Sequence, residues 1–154
     1  MASEMLSTWG PERTGRVSPL DLWLAAGAEL AAGTDIVRPF NPMTNVWGMV
    51  TRGTKSAGIQ GPEHGIDVAT ALRLYTMGTA ALNHEQDGLG SIAPGKLADL
   101  VAYPIDPASA DTSALADLTS FVHHDWRPSH ARPRPAAGAV TPAVWVRPPT
   151  SLGG

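Results

Sequence analysis

Asp35 is the residue of this sequence most suited to catalytic chemistry. It directly follows Ala28 to Thr34, a run of small residues that we interpret as a buried strand. Active-site groups of α/β barrels lie at the carboxyl ends of the strands, and a carboxylate there can bind a divalent cation or exchange protons with water. A Thr-Asp pair after a strand is also typical of an ordinary loop or helix cap, and the residues alone leave both interpretations open.

The five histidines do not form a pattern that would complete a metal site around Asp35. No His-x-His pair occurs, and the adjacent His123 and His124 would point apart on regular structure, so they cannot chelate one ion together. We expect His64, in a Gly-Pro loop, and His84, at a helix end, to be solvated. The sequence has no cysteine and therefore offers no thiolate ligand.

Three helices are predicted near Asp35 by capping residues and apolar spacing. Each begins at a residue that can cap a helix and ends near a glycine: the starts are Ser18, Asn41 and Asp67, and the ends are Gly27, Gly53 and Gly78. We expect no regular structure in residues 1–17 and a loop over residues 54–66. The order of these elements is compatible with the end of an α/β barrel.

The segment Gly88 to Tyr103 predicts a turn followed by a strand. Proline presets φ at the first turn position and glycine accepts positive φ at the second, so Pro94-Gly95 favours a turn. Leu97 to Tyr103 then alternates as a strand does, with Val101 and Tyr103 on the same face as Asp99.

Composition limits the classes of function. All 14 acidic residues lie at or before Asp125, against seven basic residues up to that point, so an acidic body gives no reason to expect a nucleic-acid partner. No apolar run approaches the roughly 20 residues of a membrane-spanning helix. The absence of cysteine fits a cytoplasmic protein. Residues 127–154 are rich in proline and arginine and predict a disordered tail.

The residue order G-S-I-x-P-G-K-x-A-D-L-V within Gly88 to Tyr103 resembles the closing segment of the metal-dependent amidohydrolase superfamily. The resemblance extends to Leu30–Asp35, Val50–Arg52 and Ala71–Thr76, which are similar to amidohydrolase family 3, the formamide deformylase-like branch. Altogether it covers roughly residues 10–107.

This resemblance implies an α/β fold that is only part of a TIM-barrel metallohydrolase. Residues 1–87 would supply the last barrel strand and neighbouring helices, and residues 88–126 the return segment to a small adjoining β-sandwich. In this family the aspartate that ends the last barrel strand, here Asp35, binds the divalent metal and exchanges protons with the attacking water. The implied activity is hydrolysis of carbon–nitrogen bonds in small amide-type substrates, with a divalent metal, zinc, in the complete enzyme.

The chain departs from the family pattern in its extent, because the family barrel has eight strands and this sequence supplies only the last. We therefore expect the isolated chain to bind no catalytic metal and to be inactive. One interpretation is a fragment of an amidohydrolase that is completed by a separate N-terminal half or by a homo-oligomer. The alternative is a non-enzymatic remnant or interaction module that docks onto a partner chain.

Overall fold

Among the described residues, helices are the commonest regular structure, and four short strands form two separate antiparallel pairs. The computed structural model describes residues 2–35, 41–120 and 122–124. Its helices are α1 (Ala2–Gly15), α2 (Leu20–Ala25), α3 (Pro42–Thr51), α4 (Val68–Arg73), α5 (Thr79–Leu82) and α6 (Thr112–Leu115). Its strands are β1 (Gly53–Thr54), β2 (Gly58–Ile59), β3 (Leu100–Ala102) and β4 (Val122–His124), paired as β1-β2 and β3-β4. The described part is thus a mixture of helix and small sheet.

Two of the predicted helix starts are confirmed, with the expected hydrogen bonds. The Asn41 side chain accepts a hydrogen bond from the backbone N–H of Met43, and Pro42 opens α3. The Asp67 carboxylate accepts from the N–H of Thr70 and caps α4. The prediction for Ser18 is wrong: α2 begins after Pro19, no side chain caps it, and Ser18 itself has a φ of 50°.

Three other predictions are corrected by the structure. Residues 2–15 form α1, although it is kinked at Gly10, where φ is 75°. The predicted loop over residues 54–66 contains β2 and a 3₁₀ turn, Pro62–His64. Gly78 does not end the third helix, because a π-helical turn, Leu74–Gly78, connects α4 directly to α5.

The predicted buried strand Ala28 to Thr34 is not a strand in the structure. The segment pairs with no other strand among the described residues, and Ala31 and Gly33 are exposed. Its backbone bonds to the neighbouring helical segment instead, since the N–H of Ala32 donates to the carbonyl oxygen of Leu74 over 3.1 Å. Alanine and glycine are weak strand formers, so the local sequence does not favour a strand over this contact with the helical segment.

The segment Gly88 to Tyr103 keeps its predicted turn but has a shorter strand. Gly95 takes a φ of 89° in the turn after Pro94, as predicted. The ladder covers only Leu100–Ala102, whose partner is Val122–His124 with Val101 opposite His123. The predicted disordered tail, residues 127–154, lies outside the described residues.

The core joins α3 to the long helical segment α4–α5 and to α6. Its buried cluster consists of Met43, Val46, Ala71, Tyr75, Leu115 and Leu118. In the described ranges, no helix combines the length and apolar character needed to cross a bilayer.

Candidate functional site

Asp35 lies in a turn with its side chain exposed to solvent. Its φ is 56°, in the left-handed region that non-glycine residues seldom occupy. The only other non-glycine residues with positive φ in the described ranges are Ser18, Arg52 and His84. Strained backbone of this kind persists only where surrounding contacts hold it in place, and it clusters at functional sites.

The two residues before Asp35 are held by the side chains of Tyr75, in the core, and Asn45, in α3. The Tyr75 hydroxyl lies 3.1 Å from the Thr34 hydroxyl and accepts a hydrogen bond from Asn45 Nδ2 over 3.0 Å. The same amide nitrogen lies 3.3 Å from the carbonyl oxygen of Gly33 and donates to it. Tyr75 is only 5% exposed, so its hydroxyl is satisfied by these partners within the protein.

The π-helical turn and Thr79 hold Ala32, the residue that precedes Gly33 in the sequence. A π turn leaves a carbonyl group outside the regular i→i−4 pattern, and such turns are frequent at functional sites. The Leu74 carbonyl oxygen accepts from the N–H of Ala32, and the Thr79 hydroxyl donates to the carbonyl oxygen of Ala32 over 3.1 Å. Ala32, Gly33 and Thr34 are therefore each hydrogen-bonded to the helices beneath them.

A pocket of about 510 Å³ lies against this segment. Gly33, Asn45 and Tyr75 are among its lining residues, and Trp23 and Trp47 provide apolar surface. Pockets of this volume with a few polar groups are typical of small-molecule sites. Gly33, two residues before Asp35, thus lines a cavity whose volume is within the usual range of small-molecule sites, and Asp35 itself is not among the lining residues.

Arg52 also lines the pocket, but its guanidinium group is occupied by backbone carbonyls. It donates hydrogen bonds to the carbonyl oxygens of Gly15, Val17, Ser18 and Gln60. Burial lowers the pKa of Arg52, while Asp21 and Glu63 nearby act in the opposite direction. Because its donors are used in this way, Arg52 fixes the segment between α1 and α2 and is not a free anion ligand.

The histidine predictions have different outcomes. His84 is exposed, as predicted. The prediction for His64 is wrong, because its side chain is 12% exposed and its Nδ1 atom lies 2.9 Å from Asp21 Oδ1. Its other ring nitrogen, Nε2, is 3.9 Å from Glu63 Oε1. This pair joins α2 to the 3₁₀ turn, and a separation of 43 residues leaves no local sequence signal for it.

The described residues do not by themselves fit a catalytic metal. Within residues 2–35, 41–120 and 122–124, no three histidine, aspartate or glutamate side chains come together as a group that could hold a metal ion. A catalytic zinc site takes three protein ligands and one open position, and Asp35 offers a single carboxylate.

Sequence reasoning selected Asp35 but not the residues that hold its turn. Tyr75 lies within the Ala71–Thr76 run that carries the family resemblance, although that run assigned it no role. Asn45 has no signal in a single sequence, because its partners are the Gly33 carbonyl and the Tyr75 hydroxyl, the latter 30 residues along the chain.

Comparison with known proteins places the chain in a family of hydrolases. Residues 3–147 match the amidohydrolase family, and the chain therefore belongs to that family. It is 27% identical over 118 residues to the N-substituted formamide deformylase of Arthrobacter pascens, an alignment that covers 75% of this chain. The chain spans only 22% of the length of that relative. No solved structure matches the chain significantly.

Proposed function

We propose that this chain is a C-terminal part of an amidohydrolase that hydrolyses carbon–nitrogen bonds in small amide substrates. The observation that carries the proposal is the family match over residues 3–147, which includes Asp35 and the whole segment that supports it. Hydrolysis of an N-substituted formamide, the substrate in the relative's name, breaks the bond between a carbonyl carbon and nitrogen. We assign the same class of bond to the enzyme that this chain completes.

Asp35 is the residue that this chain contributes to the active site. Its carboxylate is exposed to solvent in a turn, two residues after Gly33, which lines the pocket, and a carboxylate there can accept or return a proton. In the complete enzyme we place a divalent metal, zinc, with Asp35 as one ligand and the other ligands outside the described residues. The chain would then supply helices at the end of a TIM barrel and the return segment to a β-sandwich, in a cytoplasmic enzyme.

Complementation of a relative tests this proposal. The formamide deformylase relative would be expressed without the segment that this chain matches, and the 154-residue chain would be supplied with it. We expect formamide hydrolysis and bound zinc only when both parts are present. The chain alone should show neither, and stoichiometric zinc with turnover in the chain alone would contradict the fragment assignment.

A matched pair of substitutions then tests Asp35 itself. Asp35→Asn keeps the size of the side chain but removes its negative charge and its ability to accept a proton, so turnover and zinc content of the assembly should both fall. Asp87→Asn is the control, because Asp87 is also an exposed aspartate in a turn. Full activity of the Asp35→Asn assembly would exclude Asp35 from the mechanism.

The alternative function, an interaction module, is favoured by large apolar side chains at the surface. Trp9 is 48% exposed, Leu22 53% and Leu82 70%. Where such side chains form one contiguous patch, they are typical of contact with another chain, either a partner or a second copy. Stable association with the truncated relative without any gain of hydrolysis would support this alternative.

A further inference from the structure

We propose that Tyr75 and Asn45 are positioning residues for Asp35. This inference rests on the proposed function, since it assigns to the two residues the task of fixing the backbone that carries the active-site carboxylate. Neither side chain is hydrogen-bonded to Asp35 itself. Both act on the two residues before it, through the Thr34 hydroxyl and the Gly33 carbonyl group.

The hydroxyl of Tyr75 is the part of this interaction that packing does not explain. A phenylalanine would fill the same space in the core cluster, and burial of a hydroxyl group costs free energy unless it is hydrogen-bonded. The hydroxyl has two partners, Thr34 Oγ1 at 3.1 Å and Asn45 Nδ2 at 3.0 Å. It therefore connects α3, the π-helical turn and the segment that leads to Asp35.

The network stops immediately before Asp35, where the chain changes direction. Ala32 is bonded to Leu74 and Thr79, Gly33 to Asn45, and Thr34 to Tyr75. The next residue, Asp35, has a φ of 56° and an exposed side chain. The hydrogen bonds therefore fix the residues directly before Asp35, whose own backbone conformation is unfavourable. Such support is needed to hold a functional carboxylate in one position.

Correct placement of a catalytic group has a large effect on rate. Displacement of a reacting group by about 1 Å can reduce turnover roughly 100-fold. Loss of the Tyr75 hydroxyl would leave the bonds of Ala32 and Gly33 in place, so we expect a partial effect, about tenfold in kcat. KM for the amide should change little, because the Tyr75 hydroxyl and the Asn45 amide nitrogen are already hydrogen-bonded to Thr34, to Gly33 and to each other within the protein.

The order of the Asp35 backbone is the measurement that separates positioning from general stability. In the 154-residue chain, ¹⁵N relaxation should give order parameters of about 0.85 for the amides of Thr34 and Asp35, the value of rigid backbone. Tyr75→Phe should lower them towards about 0.6, while order in α3 and α4 is unchanged. Tyr103→Phe is the control, because it removes a hydroxyl from the other tyrosine packed at this core.

A second variant tests the same hydrogen bond from its other end. Thr34→Val removes the hydroxyl with little change of shape and leaves Tyr75 intact, so it should lower the order of Asp35 to the same degree. If Asp35 stays fully ordered in both Tyr75→Phe and Thr34→Val, the inference is wrong. Loss of order without any loss of turnover in the complemented enzyme would also overturn it.

Failure of this inference can be distinguished from failure of the proposed function. An inactive Asp35→Asn assembly together with fully active Tyr75→Phe and Asn45→Ala assemblies would reject only the positioning role. A fully active Asp35→Asn assembly would reject the role of Asp35, and the positioning role with it. We expect loss of turnover in Asp35→Asn and a kcat reduced about tenfold in Tyr75→Phe.

Discussion

The backbone carbonyl of Leu30 approaches Gly78 so closely that a side chain at Gly78 would collide with it. A Cβ atom added at Gly78 would lie 2.3 Å from the Leu30 oxygen. The φ of Gly78 is −61°, so the glycine is required for space and not for an unusual backbone conformation. This contact lets the π-helical turn approach the segment that leads to Asp35.

Gly78→Ala should therefore destabilise the protein, although alanine favours helix over glycine. We expect a decrease of about 1–3 kcal/mol in the free energy of unfolding, because the Leu30 backbone must move. Gly48→Ala is the matched control within α3, since its Cβ would lie 3.6 Å from the Gly53 oxygen, an ordinary contact. Denaturant unfolding should show Gly48→Ala unchanged or up to about 1 kcal/mol more stable. Equal stability of both variants would contradict the close approach.

Helix starts were predictable where the capping interaction is local. Asn41 and Asp67 accept hydrogen bonds from N–H groups two and three residues further on, so a short stretch of sequence contains the whole signal. Ser18 has the same capping chemistry, but its carbonyl group accepts from Arg52, 34 residues away. A contact over that distance leaves no local pattern in the sequence.

In the candidate site, too, the features set by neighbouring residues were predictable from sequence, and the contacts between distant residues were not. Asp35 could be selected because its residue type, the run of small residues before it and the family resemblance are all read from adjacent positions in the sequence. The segment before it was predicted to pair as a strand, whereas its partners are a π-helical turn and side chains of two helices. The bond between Thr34 and Tyr75 joins residues 41 positions apart, and periodicity cannot indicate such a pair.

The guanidinium group of Arg52 should contribute more to stability than an arginine at the surface. Its hydrogen bonds to four carbonyl groups join the end of α1 and the α1–α2 connection to Gln60, the residue after β2. Hydrogen bonds of a charged group contribute about 1.5–3 kcal/mol. Arg52→Ala should lower the free energy of unfolding by about 2 kcal/mol or more. Arg73→Ala, at an exposed position in α4, is the control and should change it by less than about 0.5 kcal/mol. Similar values for both variants would show that the carbonyl contacts contribute little.

The cap of α4 should make stability depend on pH in the acid range. Hydrogen bonds from the Thr70 side chain and backbone lower the pKa of Asp67 in the folded protein. As the pH falls below about 4, the unfolded chain takes up the proton more readily than the folded one, so this stabilisation is lost. Above that range it is fully present.

Substitution at Asp67 tests the cap and its titration separately. Asp67→Ala should cost about 1 kcal/mol at pH 7, the usual value for loss of a helix cap. Asp67→Asn keeps a capping oxygen that does not titrate, so its stability should fall less steeply below pH 4. Unfolding curves of the parent and of both variants between pH 7 and pH 3 measure both effects. An equally steep acid loss in Asp67→Asn would assign the titration to other groups.

We expect that replacing Asp35 by glycine raises the stability of the chain and removes its activity in the complemented enzyme. Its φ of 56° is unfavourable for any residue with a Cβ atom, and glycine removes that cost. Asp35→Gly should therefore raise the free energy of unfolding of the chain by about 1 kcal/mol. The same substitution removes the carboxylate, so hydrolysis by the complemented enzyme should be lost.

His84→Gly is the matched control for Asp35→Gly, because His84 is also exposed and has a φ of 58°. It should gain a similar amount of stability, and the complemented enzyme should keep its full activity. Thermal or denaturant unfolding of the chain and formamide hydrolysis by the assembly are measured for both variants. A different outcome is that Asp35→Gly destabilises the chain while His84→Gly stabilises it. That result would mean that the Asp35 side chain supports the fold, and it would contradict the expectation that the Asp35 backbone lowers stability. If both variants are stabilised and only Asp35→Gly is inactive, the strained conformation is retained for the carboxylate that it presents.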